Sequence, residues 1–201
     1  ALRISGRAGD QRIWPPLAVD TAVTADQSIY MGATVAGRSI FVLAGSVDRA
    51  TLWLRREERV VTAPPAEIIE AMLGVSLPPG RLLAIFTGCL TREATMTAAA
   101  RYGRTLAIDT PDGRVHLEQR DAGWQTRAGE AEGFTVEFAR ETSSFPQKIW
   151  IWSVPGREPR ATLDITVSDA EVNGRVPAGV FAPPPGAAGA QPMTIEELRS
   201  A

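Results

Sequence analysis

Short segments of alternating apolar and polar residues fill the first sixty positions of this 201-residue chain. They are rich in β-branched and aromatic residues, and Gly, Asp or Pro separates them: LRISGRA, PLAVDTAVT, SIYMGATV, RSIFVLAG, ATLWLRRE and RVVTA. A strand places successive side chains on opposite faces, so this period of two is typical of β-structure. The spacing predicts an antiparallel meander of about six strands before residue 63.

The period changes to that of a helix in the segment PPAEIIEAMLG, whose apolar residues recur at helical spacing. Gly74 follows the last of these apolar residues and is a typical helix end. A second short helix is predicted in LPPGRLLAIFTGC, where Pro79 stands in the first turn and Gly88 at the end. The two helices form a pair inserted between two β blocks.

Strands resume after the helical pair and form three predicted hairpins. Their segments are RTLAIDT with GRVHLEQ, GWQTRAGE with GFTVEFARE, and KIWIWSV with RATLDITVSDAEV. The Pro and Gly content of VPAGVFAPPPGAAGAQP argues against regular structure there, and MTIEELRS is predicted to form a helix of one to two turns. We expect one domain over residues 1–182 and a Pro/Gly-rich tail over residues 183–201.

The strands differ in the polarity of their faces. TLDITVS and FTVEFAR have one apolar face, whereas KIWIWSV, RSIFVLAG and ATLWLRRE are apolar on both. Strands of the second kind need cover on both sides, and the chain offers two short helices. The pattern predicts an α+β, mainly β fold: a single curved antiparallel sheet, or incomplete β-barrel, with residues 65–88 on its concave side as a lid over an apolar trough. The trough either binds an apolar ligand or is a filled core.

Charge and cysteine content narrow the range of partners. The net charge is -2 at pH 7, and no segment is strongly basic, so nucleic acids and anionic membrane surfaces are not expected partners. Cys89 is the only cysteine, which excludes a disulfide within the chain, and we expect it to be an inert thiol at a helix end. No apolar run approaches the roughly 18 residues of a membrane span, so no transmembrane segment is predicted.

The sequence contains no recognisable catalytic motif. His116 is the only histidine, and it is predicted on the polar face of its strand beside Glu118. A nucleophile elbow, a phosphate-binding loop, a dinucleotide fingerprint and a zincin helix are all absent from the sequence. We therefore predict no catalytic residue, no metal site and no cofactor.

Several segments resemble one family of bacterial proteins. A Gly, a Leu-Pro pair, a Leu-containing helix and a closing Gly recur in the lipoprotein-localisation proteins; the corresponding residues are Gly74, Leu77, Pro78, Leu82 and Gly88. Gly123 and Trp124 in a hairpin, with Phe145 and Pro146 before an apolar strand, resemble the LolB type. The ending RVPAGVFAPPPGA resembles the C-terminal signature of the LolA type. The chain thus resembles the LolA/LolB-like lipoprotein-localisation family along nearly its whole length.

The resemblance implies both a fold and a ligand. The family has an incomplete antiparallel β-barrel, closed by helices, with an apolar cavity that takes lipoprotein acyl chains. The implied location is the periplasm or the periplasmic face of the outer membrane, and any lipid anchor is expected upstream of Ala1. Burial gains about 0.8 kcal/mol per methylene, so exposing one C16 chain costs on the order of 12 kcal/mol. A carrier of such chains therefore needs a dry pocket.

The resemblance also suggests the residues of that pocket. The strand candidates are Phe41, Leu43, Trp53, Trp150 and Trp152, and the helix candidates are Ile69, Met72, Leu83 and Phe86. Alternation along KIWIWSV places Trp150 and Trp152 on one face, and the resemblance suggests that this face is the concave one. In receptor-type members an apolar residue on a protruding loop helps to deliver the lipid, and Val35 in TVAGRS corresponds to it.

The sequence leaves three functions open. The first is binding of a lipid or an acylated lipoprotein by a monomer, for transport or localisation in the bacterial cell envelope. The second is a β-rich scaffold with a filled core, which binds another envelope protein through an exposed edge strand or the Pro-rich tail. The third is an enzyme of unrecognised type.

Overall fold

A single sheet dominates the computed structural model, which describes residues 1–8, 11–91, 95–121, 123–131, 133–140, 145–154, 161–177 and 179–200. Among these residues fourteen strands form one open, curved sheet. The strands are β1 (Leu2–Ala8), β2 (Gln11–Val23), β3 (Ile29–Val35), β4 (Arg38–Gly45), β5 (Ala50–Leu54), β6 (Arg59–Ala63), β7 (Ala98–Tyr102), β8 (Thr105–Thr110), β9 (Gly113–Arg120), β10 (Gly123–Ala131), β11 (Phe134–Ala139), β12 (Lys148–Ser153), β13 (Ala161–Val167) and β14 (Gln191–Pro192). The helices are α1 (Pro65–Leu73), α2 (Pro79–Thr87) and α3 (Ile195–Arg199), with a 3-10 helix over Pro185–Gly189.

The sheet consists of two meanders that meet in its middle. Strands β1 to β6 pair in chain order, as do β7 to β13, and β1 joins the two sets by pairing with β13. Leu2 lies opposite Val167, and Ala8 lies opposite Ala161. The predicted single curved sheet is confirmed. Its pairing is antiparallel except at one edge, where the two-residue β14 runs parallel to β6.

One face of the sheet is apolar across both meanders. The register places Leu52 opposite Val61 in one meander and Ile151 opposite Leu163 in the other. All four side chains are at most 1% exposed. Side chains alternate along a strand, so the residues at the intervening positions of these strands point to the opposite face of the sheet. We call that face the outer face.

Proline and glycine set the bounds of the predicted helical pair. Helix α1 begins after Pro64 and α2 after Pro78, with a further proline in each first turn, where a missing N–H costs nothing. The helices end at Gly74 and Gly88, whose φ angles of 73° and 65° are left-handed and favour glycine. The predicted helical pair over residues 65–88 is confirmed.

The C-terminal strap, residues 184–200, differs from the irregular tail expected for most of this segment. Its 3-10 helix packs on Trp53 of the outer face, and Gly186 permits the approach because a Cβ atom there would overlap the indole. Strand β14 then pairs with β6, and α3 packs against α1 on the apolar face. Leu198 is buried in that contact, and Ile195 packs against the same core. The strap therefore covers one sheet edge.

A capping box holds the first turn of α3. The Thr194 hydroxyl accepts a hydrogen bond from the N–H of Glu197 at 3.1 Å, and the Glu197 carboxylate accepts one from the N–H of Thr194 at 2.8 Å. The Nη2 atom of Arg59 lies 3.3 Å from the same carboxylate. The backbone hydrogen bond from Thr194 is the main cause that lowers the pKa of Glu197 below its usual value of 4.5, and Arg59 acts in the same direction.

Acid is expected to weaken this capping box. A carboxyl whose pKa is lowered in the folded state stabilises the fold above the unfolded pKa of about 4.5, and that contribution is lost as the pH falls through the folded value. Amide protection in residues 194–199 should therefore decrease on acidification below that pH. In Glu197→Ala, which removes the accepting side chain, it should already be low at neutral pH. Glu196→Ala is the matched control, and equal loss in both variants would contradict the role of the box.

Candidate functional site beneath the helices

Helices α1 and α2 cover the apolar face, and their inward side chains merge with it into one core. Helix α1 buries Ile68 and Ile69, and α2 buries Leu82 and Ile85; these side chains are 0 to 4% exposed. Leu82 and Ile85 are three residues apart and so lie on one side of their helix. All four belong to the same apolar cluster as the buried residues of the sheet.

The segment between the two helices completes this cover. Val75 is 4% exposed and Leu77 is 1% exposed, and both belong to the core. The sequence prediction missed them, although they are alternate apolar positions in VSLPP. Leu198 of the strap, also missed, is buried beside α1 at 8% exposure. The cover thus consists of three helices and a connection.

Polar contacts at the beginning of α2 are few and open to solvent. A Cβ atom on Gly80 would lie 3.4 Å from Oε1 of Gln27, in the turn between β2 and β3. The Nη2 atom of Arg81 is 3.6 Å from Oδ2 of Asp112, in the turn between β8 and β9. The Asp112 side chain is 68% exposed, so this ion pair contributes at most about 1 kcal/mol. Apolar contacts therefore provide most of the attachment of α2.

Arg140 lies at the opposite end of α2. Its Nη2 atom is 3.5 Å from the carbonyl oxygen of Thr87 and 3.4 Å from that of Gly88, which are long hydrogen bonds to the end of the helix. Its buried Nε atom has no hydrogen-bond acceptor among the described residues. Burial lowers the pKa of Arg140 from its usual value. The positive charge of the guanidinium lies at the C-terminal end of α2, where the helix dipole is negative, and this arrangement is favourable.

Among the described residues, the cleft that borders α2 is small. It is lined by Arg81 in the first turn of α2, by Leu90 just after the helix, and by residues of strands β8 to β11 that include Val115 and Phe134, and its volume is about 20 Å³. Pockets for small molecules typically have volumes of about 300 to 1,000 Å³. The trough is filled in this conformation, so an acyl chain could enter only if part of the cover moves away.

A larger cleft of about 450 Å³ lies on the outer face. It is bordered by the turn between β4 and β5 and by Phe181 and Pro183, and its polar lining includes Arg49 and Thr51. None of the pocket residues predicted from the sequence borders it. It is therefore separate from the candidate site.

Several of the predicted residues lie in the covered core. Phe41 and Leu43 point from β4 toward the helices and are 8% and 1% exposed. Ile69 of α1 is buried in the same cluster, and the partly buried Met72 and Phe86 pack against it. The structure brings these five side chains together with the helices, on the face expected from the sequence.

Leu83 lies outside the described core cluster and is half-buried. The neighbouring Leu82, together with Ile85, points inward instead. The sequence-based prediction for Leu83 was therefore wrong by one position, because Leu82 is the residue that faces the core. LLAIF is apolar at all five of its positions, so its pattern does not fix which side of the helix faces the sheet.

Trp150 and Trp152 lie on the outer face, so the expectation that they share the concave face with the helices is wrong. Trp150 is opposite Glu137 on β11 and Asp164 on β13, whereas the preceding Ile149 is completely buried. Both indoles are half-buried beside polar cross-strand partners. A large amphipathic ring suits such a surface, while the β-branched isoleucines fill the core.

Trp53 also lies on the outer face and cannot line the trough. It is opposite Val42 on β4 and Val60 on β6, and the 3-10 helix of the strap covers it at Gly186. The guanidinium carbon of Arg55 is 4.9 Å from the centre of the Trp53 ring, a cation–π contact. The expectation that Trp53 belongs to the pocket is therefore wrong, because the strap forms a second apolar contact outside the sheet.

Val35 ends β3 at the turn that the sequence suggested as a delivery loop. The turn residues Ala36 and Gly37 have φ angles of 49° and 76°, which is typical of a two-residue hairpin turn. Val35 itself pairs with Arg38 and is half-buried. Its proposed contact with lipid stays a prediction.

The described residues contain no group of His, Cys, Asp and Glu side chains that could hold a metal ion. The Nε2 atom of His116 lies 3.5 Å from Oε1 of Glu130 on the neighbouring strand β10, and alternation along β9 places His116 on the same face as Glu118. In the part of the chain that the structure describes, no helix has both the length and the apolar character needed to cross a bilayer.

Similarity to known proteins lies in the structure and not in the sequence. No family model and no curated protein matches the chain. The fold is similar to the crystal structure of a LolA superfamily protein from Nitrosomonas europaea, with a TM-score of 0.55 and 9% identity over 90% of this chain and 87% of that one. It is also similar to a domain from Vibrio parahaemolyticus assigned to outer membrane lipoprotein sorting, with a TM-score of 0.52 and 8% identity over the same shares. The chain has a LolA/LolB-like fold.

Proposed function

We propose that this chain, with its LolA/LolB-like fold, binds acyl chains of lipids or lipoproteins between its helices and its sheet. The proposed setting is the bacterial cell envelope, in the periplasm or at the periplasmic face of the outer membrane. There it would carry or localise lipoproteins as a monomer. The names of the two similar structures support this setting, and the covered apolar face supports the ligand.

The observation that supports the proposal most directly is a continuous apolar face covered by short helices that are attached mainly by apolar contacts. Helices α1 and α2 have nine residues each, and the ion pair between Arg81 and Asp112 is exposed. A methylene chain has the same surface chemistry as the side chains that now fill the trough. Burial of a C16 chain gains on the order of 12 kcal/mol, which can offset the lost contacts of a displaced α2.

The proposed contacts of the acyl chain are the covered residues. Phe41 and Leu43 would line the sheet side, and Ile69, Met72 and Phe86 the helix side. In this scheme, Val35 at the turn after β3 keeps its proposed role in delivery.

A second function is favoured by the small empty volume. With about 20 Å³ beneath the helices, the trough has the properties of an ordinary core. All five residues of the edge strand β7 are exposed, so its free backbone groups could pair with a strand of another envelope protein. In that case the chain is an interaction protein that binds no lipid.

A reversible lock on α2 distinguishes the two functions. Cγ of Gln27 is 3.9 Å from the Cβ position of Gly80, so Gln27→Cys with Gly80→Cys places two thiols near disulfide distance. The exposed Cys89 is replaced by Ser in this variant to prevent mispairing. The reduced variant should bind palmitate in calorimetry and native mass spectrometry, and the oxidised variant should bind it at least tenfold more weakly.

The control is Gly80→Cys with Cys89→Ser, treated with the same oxidant, because it cannot form the lock. Equal binding by the reduced and oxidised forms of the double-cysteine variant would show that α2 does not move for the ligand. Absence of binding in every form, including the native chain, would reject acyl-chain binding and favour the interaction protein.

A further inference from the structure

The turn between β7 and β8 and the adjoining ends of β9 and β10 lie side by side at the open edge of the sheet. They carry side chains on both faces of the sheet that we together call the aromatic–arginine tip: Arg101, Tyr102, Arg104, Arg120 and Trp124. The register places Arg101 and Trp124 on one face, and Tyr102 and Arg120 on the opposite face. In the sequence these arginines are up to nineteen positions apart, and antiparallel pairing brings them together. This is why no basic segment is visible in the sequence.

Gln119 connects the two turns. Its side-chain Oε1 accepts a hydrogen bond from Nη2 of Arg101 at 3.1 Å, and its carbonyl oxygen accepts from Nε and Nη2 of Arg104 at 3.2 and 2.7 Å. The guanidinium carbon of Arg101 also lies 5.5 Å from the centre of the Trp124 ring. The tip thus holds the cation of Arg101 beside the ring of Trp124 on one face of the sheet.

The aromatic side chains of the tip project into solvent. Tyr102 is 70% exposed and Trp124 is 40% exposed. Glu118 and Asp121 are the acidic residues of the same turns, and Glu118 lies 2.9 Å from Nη2 of Arg120. The three arginines outnumber these two carboxylates, so the net charge of the tip is positive.

The tip lies close to the end of the lid helix α2. Arg140 contacts the last carbonyl oxygens of α2, and the positive charge of Arg120 is near enough to contribute to lowering the pKa of Arg140, although burial is the main cause. A surface that contacted the tip would therefore be adjacent to the C-terminal end of α2.

We propose that the aromatic–arginine tip docks on an anionic phospholipid bilayer. Trp and Tyr favour the boundary between headgroups and acyl chains, where the ring is apolar at one end and polar at the other. Arginines beside them can reach phosphate groups while their aliphatic stems remain in the apolar layer. The tip combines both features at the exposed edge of the sheet. This proposal departs from the sequence-based expectation that anionic membranes are not partners.

Docking on a bilayer does not require that the trough be opened, and it is a separate activity from acyl-chain binding. The rings of the tip reach the headgroups without any movement of α2. The two proposals can therefore fail separately, because palmitate binding in solution requires no vesicle and vesicle binding requires no displaced helix.

Co-sedimentation with vesicles tests the docking. The native chain should bind vesicles of phosphatidylcholine and phosphatidylglycerol in a two-to-one ratio more strongly than pure phosphatidylcholine vesicles, and salt should weaken the binding. Each arginine near an anionic surface contributes roughly a factor of five, so Arg101→Gln with Arg104→Gln should weaken it roughly 25-fold. Tyr102→Ala with Trp124→Ala should cause at least a tenfold loss on both kinds of vesicle.

The matched control is Arg12→Gln with Trp14→Ala. Trp14 is 70% exposed and lies 5.4 Å from Arg12, so this pair has the same chemistry, but it belongs to β2 at the other end of the strands. The control should bind vesicles like the native chain, and circular dichroism should show that every variant is folded. Equal losses in the control and the tip variants would overturn the proposal. So would failure of the native chain to bind anionic vesicles, which would leave an acidic protein surface as the chemistry that fits the tip.

Discussion

Replacement of Ile85 by aspartate should unfold the protein, whereas the same replacement at Leu83 should leave it folded. Ile85 is completely buried where α2 meets the apolar core. A carboxylate at that position loses its hydration without gaining a partner, and the lost apolar contacts alone cost about 2 to 5 kcal/mol. Domains of this kind are stable by about 5 to 15 kcal/mol, so the combined cost is comparable with the whole stability.

Leu83 is the matched position because it lies on the same helix but outside the described core cluster. Leu83→Asp should cost about 1 kcal/mol, mainly from the lower helix propensity of Asp and the loss of partial burial. Urea denaturation followed by circular dichroism measures both variants. A loss at Leu83 as large as that at Ile85 would mean that the two sides of α2 are equally packed.

A second large effect is expected at Leu198, which attaches α3 to α1. Leu198→Asp should release the strap from the lid and reduce the free energy of unfolding by about 3 kcal/mol, since a buried leucine is lost and a charge is introduced. Arg199→Asp changes the exposed neighbour and should have little effect. Hydrogen exchange should show lower protection in α1 for the first variant only.

The same two variants test whether the strap limits the rate of palmitate uptake. If α3 holds α1 in place, Leu198→Asp should accept palmitate faster than the native chain in a stopped-flow measurement, because less of the cover has to be displaced. Faster uptake by Arg199→Asp as well would mean that the charge change, and not release of the strap, is responsible. Unchanged protection of α1 in Leu198→Asp would show that the strap does not support the lid.

The helical pair could be predicted because its signals are local. Proline at the start and glycine at the end specify where α1 and α2 begin and end, whatever surrounds them. The strands were recognised in the same way from their alternation. The strap, apart from the short helix α3 that was predicted in MTIEELRS, could not be predicted, because its regular structure depends on contacts with Trp53 and with the edge of β6, more than 100 positions earlier in the chain.

The errors in the candidate site have the same origin. In KIWIWSV both sets of alternating residues are apolar, so the segment does not indicate which set faces the core. The neighbouring strands determine which face of β12 turns toward the core, since Glu137 and Asp164 lie opposite Trp150. Pocket residues on β4 were placed on the correct face, whereas the indoles of β12 were not. Local pattern predicts that a strand alternates, and cross-strand partners decide its orientation.

The pairing of β1 with β13 has a consequence for how the protein folds during synthesis. Each meander contains hairpins between neighbouring strands, which form early because they close short loops. Their junction pairs Leu2 with Val167, so the continuous apolar face cannot exist until the last long strand has left the ribosome. Until then, β1 presents an unpaired edge next to apolar surface, which is a state prone to aggregation. Pairing of residues 161–167 with β1 therefore removes that unpaired edge and completes the continuous apolar face.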